Sequence, residues 1–248
     1  MAAPITLLCL PCAGASATMY LRWRRLLPAW VRVEPVELAG RGSRINDPFS
    51  AGFEAAVDDI CARAQPWVTG RYALYGHSMG ALLAYGATRR LRALGMPAPQ
   101  LLIASGSASP SARDNSRLER MRGRGDLLED LRRQGGTPQA VFDDEELLAL
   151  TLAVLEADYA LCLDYQHHDE APLALPVHVM GGRRDDIAPE RLRAWQDVAR
   201  HPVTLDYFDG GHFFIRDSEP AVLAAITAHL GRPLAASEGI RHASLDAA

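Results

Sequence analysis

The chain of 248 residues contains no lysine, so all 26 of its basic residues are arginine. Without a lysine ammonium it can form neither a Schiff base nor the clamp of a phosphate-binding P-loop, and both chemistries are excluded at the outset. An excess of positive charge is lacking too. The formal net charge of −4 gives no bulk reason to expect nucleic acid as a partner, because phosphate backbones are met by clustered basic residues. No apolar run approaches the roughly 18–20 residues that span a bilayer, and no membrane partner is expected. The opening segment MAAPITLLCLPCAG has no charged stretch ahead of its apolar one, which a proline soon interrupts. It is not read as a signal peptide, and a cytoplasmic location is expected. Cysteine is scarce, four in all, which does not suggest a disulfide scaffold. Cys9 and Cys12 have the C-x-x-C spacing of a redox site, yet a buried strand residue followed by a turn residue is the reading preferred here. A zinc site would need a second ligand pair, and Cys61 and Cys162 are isolated from one another.

What the chain does have is apolar content, 48%, enough to fill a sizeable core. The segments ITLLCL, VRVEPVEL, RYALYG, LLIASG, VHVMGG and VTLDYF read as strands, mostly β-branched or aromatic-rich. Between them FEAAVDDICARAQPWV, ALLAYGATRRLRAL and PERLRAWQDVAR read as helices. Such alternation implies an α/β fold with a mostly parallel central sheet covered by helices on both faces. Residues 1–230 are read as a single domain, and 231–248 as a small, polar, disordered tail. From Ser105 to Pro176 the alternation lapses into helical pattern, predicting a helical insertion over about 107–172. Within it, the stretch after the acidic DDEE carries Leu147, Leu148, Leu150, Leu152, Val154 and Leu155, nearly all round a helix. A helix apolar on every side is buried in core, or meets core on one side and an apolar ligand on the other. The second alternative makes it a lid.

In open α/β sheets ligands bind beyond the carboxyl ends of the strands. The residues after RYALY are Gly76, His77, Ser78, Met79 and Gly80, a G-x-S-x-G match between a strand and a helix that marks a nucleophile elbow. A serine hydroxyl attacks only with a base beside it and a carboxylate to orient that base, in the chain order Ser, Asp, His. Downstream, VHVMGGRRDD ends a strand at Asp185 and Asp186, and YFDGGHFFIRD puts His212 after another. Asp185 is favoured as the orienter and Asp186 is its close competitor; Asp209 and Asp217 are less well placed. His212 is the expected base. His77 is directed away from the hydroxyl, His178 lies within a strand, and His167 and His168 fall in a solvated loop. An oxyanion hole needs two backbone N–H groups. Met79 supplies one, and the loop PCAGAS after the first strand the other, from Cys12 with Ala13 as the alternative.

LPCAGASATMYLRW, LAGRGSR, YGHSMGALLAY, LRRQGGTP, LEADYALCLDY and GGHFFI together make the chain, up to about Leu230, resemble the type II thioesterases of polyketide and nonribosomal-peptide assembly lines. These are α/β-hydrolases that clear acyl groups from carrier-protein phosphopantetheine arms. The resemblance implies Ser78 as nucleophile, His212 as base, Asp185 as orienter, the Cys12 and Met79 amides as oxyanion donors, and a helical lid bordering the acyl pocket. It implies no cofactor and no metal, since phosphopantetheine arrives with the substrate. Acyl or peptidyl carrier domains and small acyl thioesters are the implied partners. Departures occur at Ala15, where a second glycine is frequent, and at Ala39, where proline is usual; the segment RRDDIAPE is shorter than in many relatives. A chain-releasing medium-chain thioesterase or a general esterase of small esters would share fold and triad. A non-enzymatic carrier-binding module is disfavoured by the intact Ser, Asp, His order.

Overall fold

The computed structural model describes residues 3–121 and 123–232. The expectation of a disordered tail concerns residues that lie, beyond 232, outside the described ones. Six strands form one sheet: β1 (Ile5–Leu10), β2 (Val31–Pro35), β3 (Tyr72–His77), β4 (Leu102–Ser105), β5 (Val177–Gly182) and β6 (Thr204–Phe208). Their order is β2-β1-β3-β4-β5-β6, and every neighbouring pair is parallel. The five longest helices are α1 (Phe53–Ala64), α2 (Met79–Ala93), α3 (Arg124–Gln134), α4 (Glu145–Asp164) and α5 (Glu219–Leu230).

The near-continuous apolar strands are explained by burial on both faces. Leu8, Leu10, Leu74, Leu102 and Val179 point into an apolar layer shared with α1 and α2. Their sequence neighbours Leu7, Cys9, Tyr75, Ile103 and Met180 point the other way, into a layer containing Trp23, Phe214 and Ile226. Three predicted boundaries shift for local reasons. Strand β2 stops at Pro35 rather than continuing to Leu38, since proline cannot donate to a ladder and β2 is an edge strand. Helix α1 stops at Ala64, two residues before Pro66, whose ring disfavours helix at the preceding position. The predicted helix over 189–200 is helical only through Arg193 and then tightens to 3₁₀ over Ala194–Val198, where fully buried Trp195 donates its indole N–H to Ser107 O at 2.9 Å. No helix among the described residues is long and apolar enough to cross a membrane.

Two histidines in the sheet are fully buried. His77 pairs with Ser105 Oγ at 3.0 Å and His178 with Thr204 Oγ1 at 2.7 Å. Burial pushes the His77 imidazole well below its ordinary value of 6.5, and the His178 imidazole down to about 3. Below pH 6.5 the unfolded chain therefore takes up protons that the folded chain refuses, and stability falls as pH falls. The slope is about 1.4 kcal/mol per pH unit for each ring. Urea unfolding in chelator-containing buffer between pH 6.5 and 5.0 should show this loss, and His178→Asn should remove one ring's share of it; an unchanged slope in that variant would assign the loss elsewhere.

Candidate active site

The turn after β3 carries the strain expected of an elbow. Ser78 has φ 55° and is the only non-glycine residue at positive φ among the described residues. Such a conformation persists only where the surroundings impose it, and here the flanking glycines permit the fit. A Cβ on Gly80 would stand 2.2 Å from Leu10 O, and one on Gly76 2.0 Å from Gly80 O, so backbone meets backbone on both sides of the serine. Ser78 N–H donates to Ser105 O at 2.7 Å. Met79 opens α2, so its amide belongs to the first turn, where N–H groups lack an intrahelical acceptor and the helix dipole is positive.

Asp185 follows β5 and His212 follows β6, and the structure brings them together. His212 Nδ1 lies 2.9 Å from Asp185 Oδ2, which assigns the proton to Nδ1 and leaves Nε2 as the basic nitrogen. The Asp185 side chain is 4% exposed, whereas that of Asp186 is 91% exposed and faces Arg133 at 3.6 Å. Only Asp185 therefore holds the histidine. His77 pairs with Ser105 Oγ at 3.0 Å rather than with the triad, its ring 5.2 Å from that of His212. His167 is paired with Tyr165 in an exposed contact. Burial pushes the Cys12 thiol up to about 12 and the Cys9 thiol well above its ordinary value. Both are free and buried, which removes the redox reading of their spacing.

Ser78 and His212 share the walls of two cavities. The larger, about 760 Å³, has a lining of both charges, with Arg113, Arg120 and Arg184 beside Asp114, Glu129 and Asp186. The smaller, about 310 Å³, is bordered by Met19, Leu131, Val141, Leu155 and Phe213. Ala13, Arg117 and Tyr159 lie in the wall of both, while Cys12 borders only the smaller. The helical insertion thus supplies one side of the site through α3 and α4. Helix α4 meets core through Leu152, Leu161 and Cys162 and the small cavity through Thr151 and Leu155, while Leu147 and Leu150 are each 47% exposed. The helix is therefore not buried on every side: it meets core, a cavity and solvent along different flanks.

Two buried carboxylates on or against the insertion were not singled out from sequence. Asp130 of α3, 4% exposed, accepts from Arg117 at 2.5 Å, Tyr159 at 2.5 Å and Arg133 at 2.7 Å. Burial raises its carboxyl, but these donors prevail and hold it below the usual carboxylate range. Asp158 of α4 is fully buried. It receives both arms of Arg41, at 2.5 and 2.6 Å, and its Oδ2 accepts the Gly14 N–H at 2.8 Å. That single side chain ties α4 to the loop following β1, next to Cys12 and Ala13. Asp158→Asn keeps the shape but loses the bidentate charge pairing, leaving Arg41 buried without its counter-ion. It is expected to lower kcat by about 10- to 100-fold through displacement of that loop, with a smaller change in KM; a variant with kcat unaltered and only KM raised would restrict Asp158 to shaping the binding pocket.

Comparison with known proteins places these features in context. The family model for the thioesterase domain matches residues 5–230. The chain is 33% identical over 228 residues to the thioesterase PikA5 of Streptomyces venezuelae, an alignment covering 91% of this chain and 81% of that protein. Among solved structures it is similar to the RedJ thioesterase of the prodiginine biosynthetic pathway of Streptomyces coelicolor, with 32% identity, 91% of this chain and 90% of the other covered, and a TM-score of 0.83. It is similar also to the type II thioesterase BorB of the borrelidin biosynthetic cluster, with 31% identity, coverage of 92% and 93%, and a TM-score of 0.82.

Proposed function

We propose, on the premise that the chain belongs to the thioesterase domain family and is an α/β-hydrolase acting on thioesters, that it removes acyl groups from the phosphopantetheine arms of acyl or peptidyl carrier proteins. In this role it edits stalled or aberrant chains in polyketide or nonribosomal-peptide biosynthesis. The observation that carries the reading is the meeting of two unlike cavities at Ser78 and His212. The smaller, apolar one suits an acyl chain. The larger, lined by arginines and carboxylates together, suits a polar, amide-bearing arm.

The reaction runs in two steps. Ser78 Oγ attacks the thioester carbonyl while His212 Nε2 takes its proton, and Asp185 holds the ring through Nδ1 and stabilises the imidazolium. The developing oxyanion is met by the Met79 amide and by that of Cys12 or Ala13, of which Ala13 borders both cavities. Collapse breaks the C–S bond and releases the arm as its thiol, with the proton from His212. Thiols titrate near 8.5, so expulsion needs less acid assistance than an amine would. Water, deprotonated by His212, then attacks the acyl-serine ester; collapse breaks the acyl C–Oγ bond, His212 returns the proton to Ser78 Oγ, and the carboxylic acid is freed. The protein's own residues complete this cycle, and no cofactor or metal is assigned to it.

The test presents matched short and medium acyl groups on a phosphopantetheinylated carrier, on free pantetheine and as simple oxygen esters. Turnover that depends on Ser78 and favours the carrier supports the proposal. Equal rates with and without carrier would make this a general small-thioester or ester hydrolase. Selective release of one medium-chain acid would make it a chain-terminating enzyme, and failure of a serine-directed covalent inhibitor to label the protein would revive a binding module.

A further inference from the structure

Strands β5 and β6 and helix α5 bring together three side chains that the hydrolysis above does not use. His178 is the second residue of β5, at the amino end of a strand whose carboxyl end leads to Asp185. Asp206 lies on neighbouring β6, aligned with Met180 while Thr204 is aligned with His178; the two-residue period of a strand therefore puts Asp206 diagonally beside His178 on one face. His229, in the last turn of α5, stacks on His178 with ring centroids 3.5 Å apart. Both rings turn Nε2 toward one carboxylate oxygen. Asp206 Oδ2 is 3.4 Å from His178 Nε2 and 3.7 Å from His229 Nε2, and all three atoms lie within 4.8 Å of one another.

These separations are long for hydrogen bonds. The buried Nε2 of His178 indeed has no hydrogen-bond partner, though its side chain is fully buried. They are close to what a metal requires: with ligands at about 2.0–2.2 Å in tetrahedral geometry, neighbouring donor atoms stand roughly 3.4 Å apart. The other ring nitrogen is accounted for. His178 Nδ1 is held by Thr204 Oγ1 at 2.7 Å, the kind of outer partner that orients metal-binding imidazoles. We propose that His178, Asp206 and His229 form a site for a divalent late transition-metal ion such as Zn²⁺, which pins helix α5 to the edge strand β6.

Other features are consistent with it. Imidazole nitrogens are common ligands of such ions, and the Arg232 charge acts on both rings. Arg232 also opposes an incoming dication, and the Asp206 carboxylate offsets it. Two imidazoles and one carboxylate select ions of the zinc, nickel, cobalt and copper group over Mg²⁺ or Ca²⁺. Asp206 is 49% exposed, which leaves an entry path. Neither cavity at Ser78 and His212 includes any of the three side chains, so the ion would have a structural role rather than a catalytic one.

Metal-stripped full-length protein would be titrated with Co²⁺, whose visible absorption is intense in tetrahedral coordination, and with Zn²⁺ while the urea midpoint is followed. One tightly bound equivalent of Co²⁺ with a tetrahedral spectrum, and a midpoint rising with Zn²⁺ concentration, are expected. Both signals should disappear in His229→Ala and in Asp206→Asn, persist when His167 and His168 are replaced together by alanine, and leave thioester hydrolysis unchanged in every variant. Circular dichroism checks folding, and the two ligand variants are independent, so loss of fold in one leaves the other decisive. Absence of saturable binding by the wild type, or binding that survives in both ligand variants, overturns the site.

Discussion

Ser78→Ala is expected to reduce kcat on acyl thioesters by about 10⁴- to 10⁶-fold while the urea midpoint stays at or above that of the wild type. The size follows from the way a nucleophile and its base act as a unit: once the attacking oxygen is gone, His212 and Asp185 contribute almost nothing, and what remains is the acceleration from binding and oxyanion stabilisation. The stability half of the expectation follows from the backbone. Ser78 is held at positive φ by its neighbours, its N–H bond to Ser105 O is made by backbone, and alanine has the same Cβ. Ser78 borders two cavities, so removal of the hydroxyl opens no void in the core. Stopped assays with a purified variant whose circular dichroism matches wild type check both halves, and near-normal turnover would take Ser78 out of the mechanism.

Asp185→Asn has the second largest expected effect, a fall in kcat of roughly 10⁴-fold, with substrate affinity little changed. An asparagine amide placed against His212 Nδ1 can offer N–H as well as C=O. It then favours the tautomer with the proton on Nε2, where the base must be empty, and supplies no charge to the imidazolium. Asp186→Asn is the internal comparison. Its carboxylate is 91% exposed and its neighbour is Arg133 rather than His212, so kcat should stay within about twofold of wild type, as expected for a solvated surface pair. Reversal of the two results would move the triad's acid by one residue and require the loop after β5 to rearrange in solution.

Most of the candidate site's layout was legible in the sequence because its residues ride on strand ends. A G-x-S-x-G between a strand and a helix fixes Ser78 and Met79 through local geometry, and His212 is set by the end of β6. The sequence favoured Asp185 but did not fix it against Asp186, since adjacent residues in a loop point different ways according to contacts made elsewhere. Asp158 and Arg41 lie 117 positions apart in the chain, and nothing in either's local pattern announces the pair. The same holds for His178, Asp206 and His229, which only sheet register and helix packing unite. Helix α5 was not among the segments singled out because EPAVLAAITAHL is apolar or small on nearly every side, which blurs the 3.6-residue stripe. Helix α4 showed its length and acidic start, confirmed by the Asp144 cap on Glu146 and Leu147, but apolarity alone could not say which flank met protein and which met a cavity.

The junction at Asp158 also limits how this scaffold can be re-engineered. The carboxyl-terminal half of α4 is fastened to the loop after β1, whereas among the described residues its amino-terminal half, with Leu147 and Leu150 exposed, shows no comparable buried ion pair. A graft that imports a relative's whole insertion to change acyl preference would replace the carboxylate on which Arg41 and Gly14 depend, and would alter rate and selectivity together. Breaking the graft ahead of Leu152, so that only the stretch from α3 to the first two turns of α4 is exchanged, leaves that fastening native. Under the proposed mechanism, the pocket assigned to the acyl chain and the loop assigned to the oxyanion are separable units only if the crossover is drawn inside a helix.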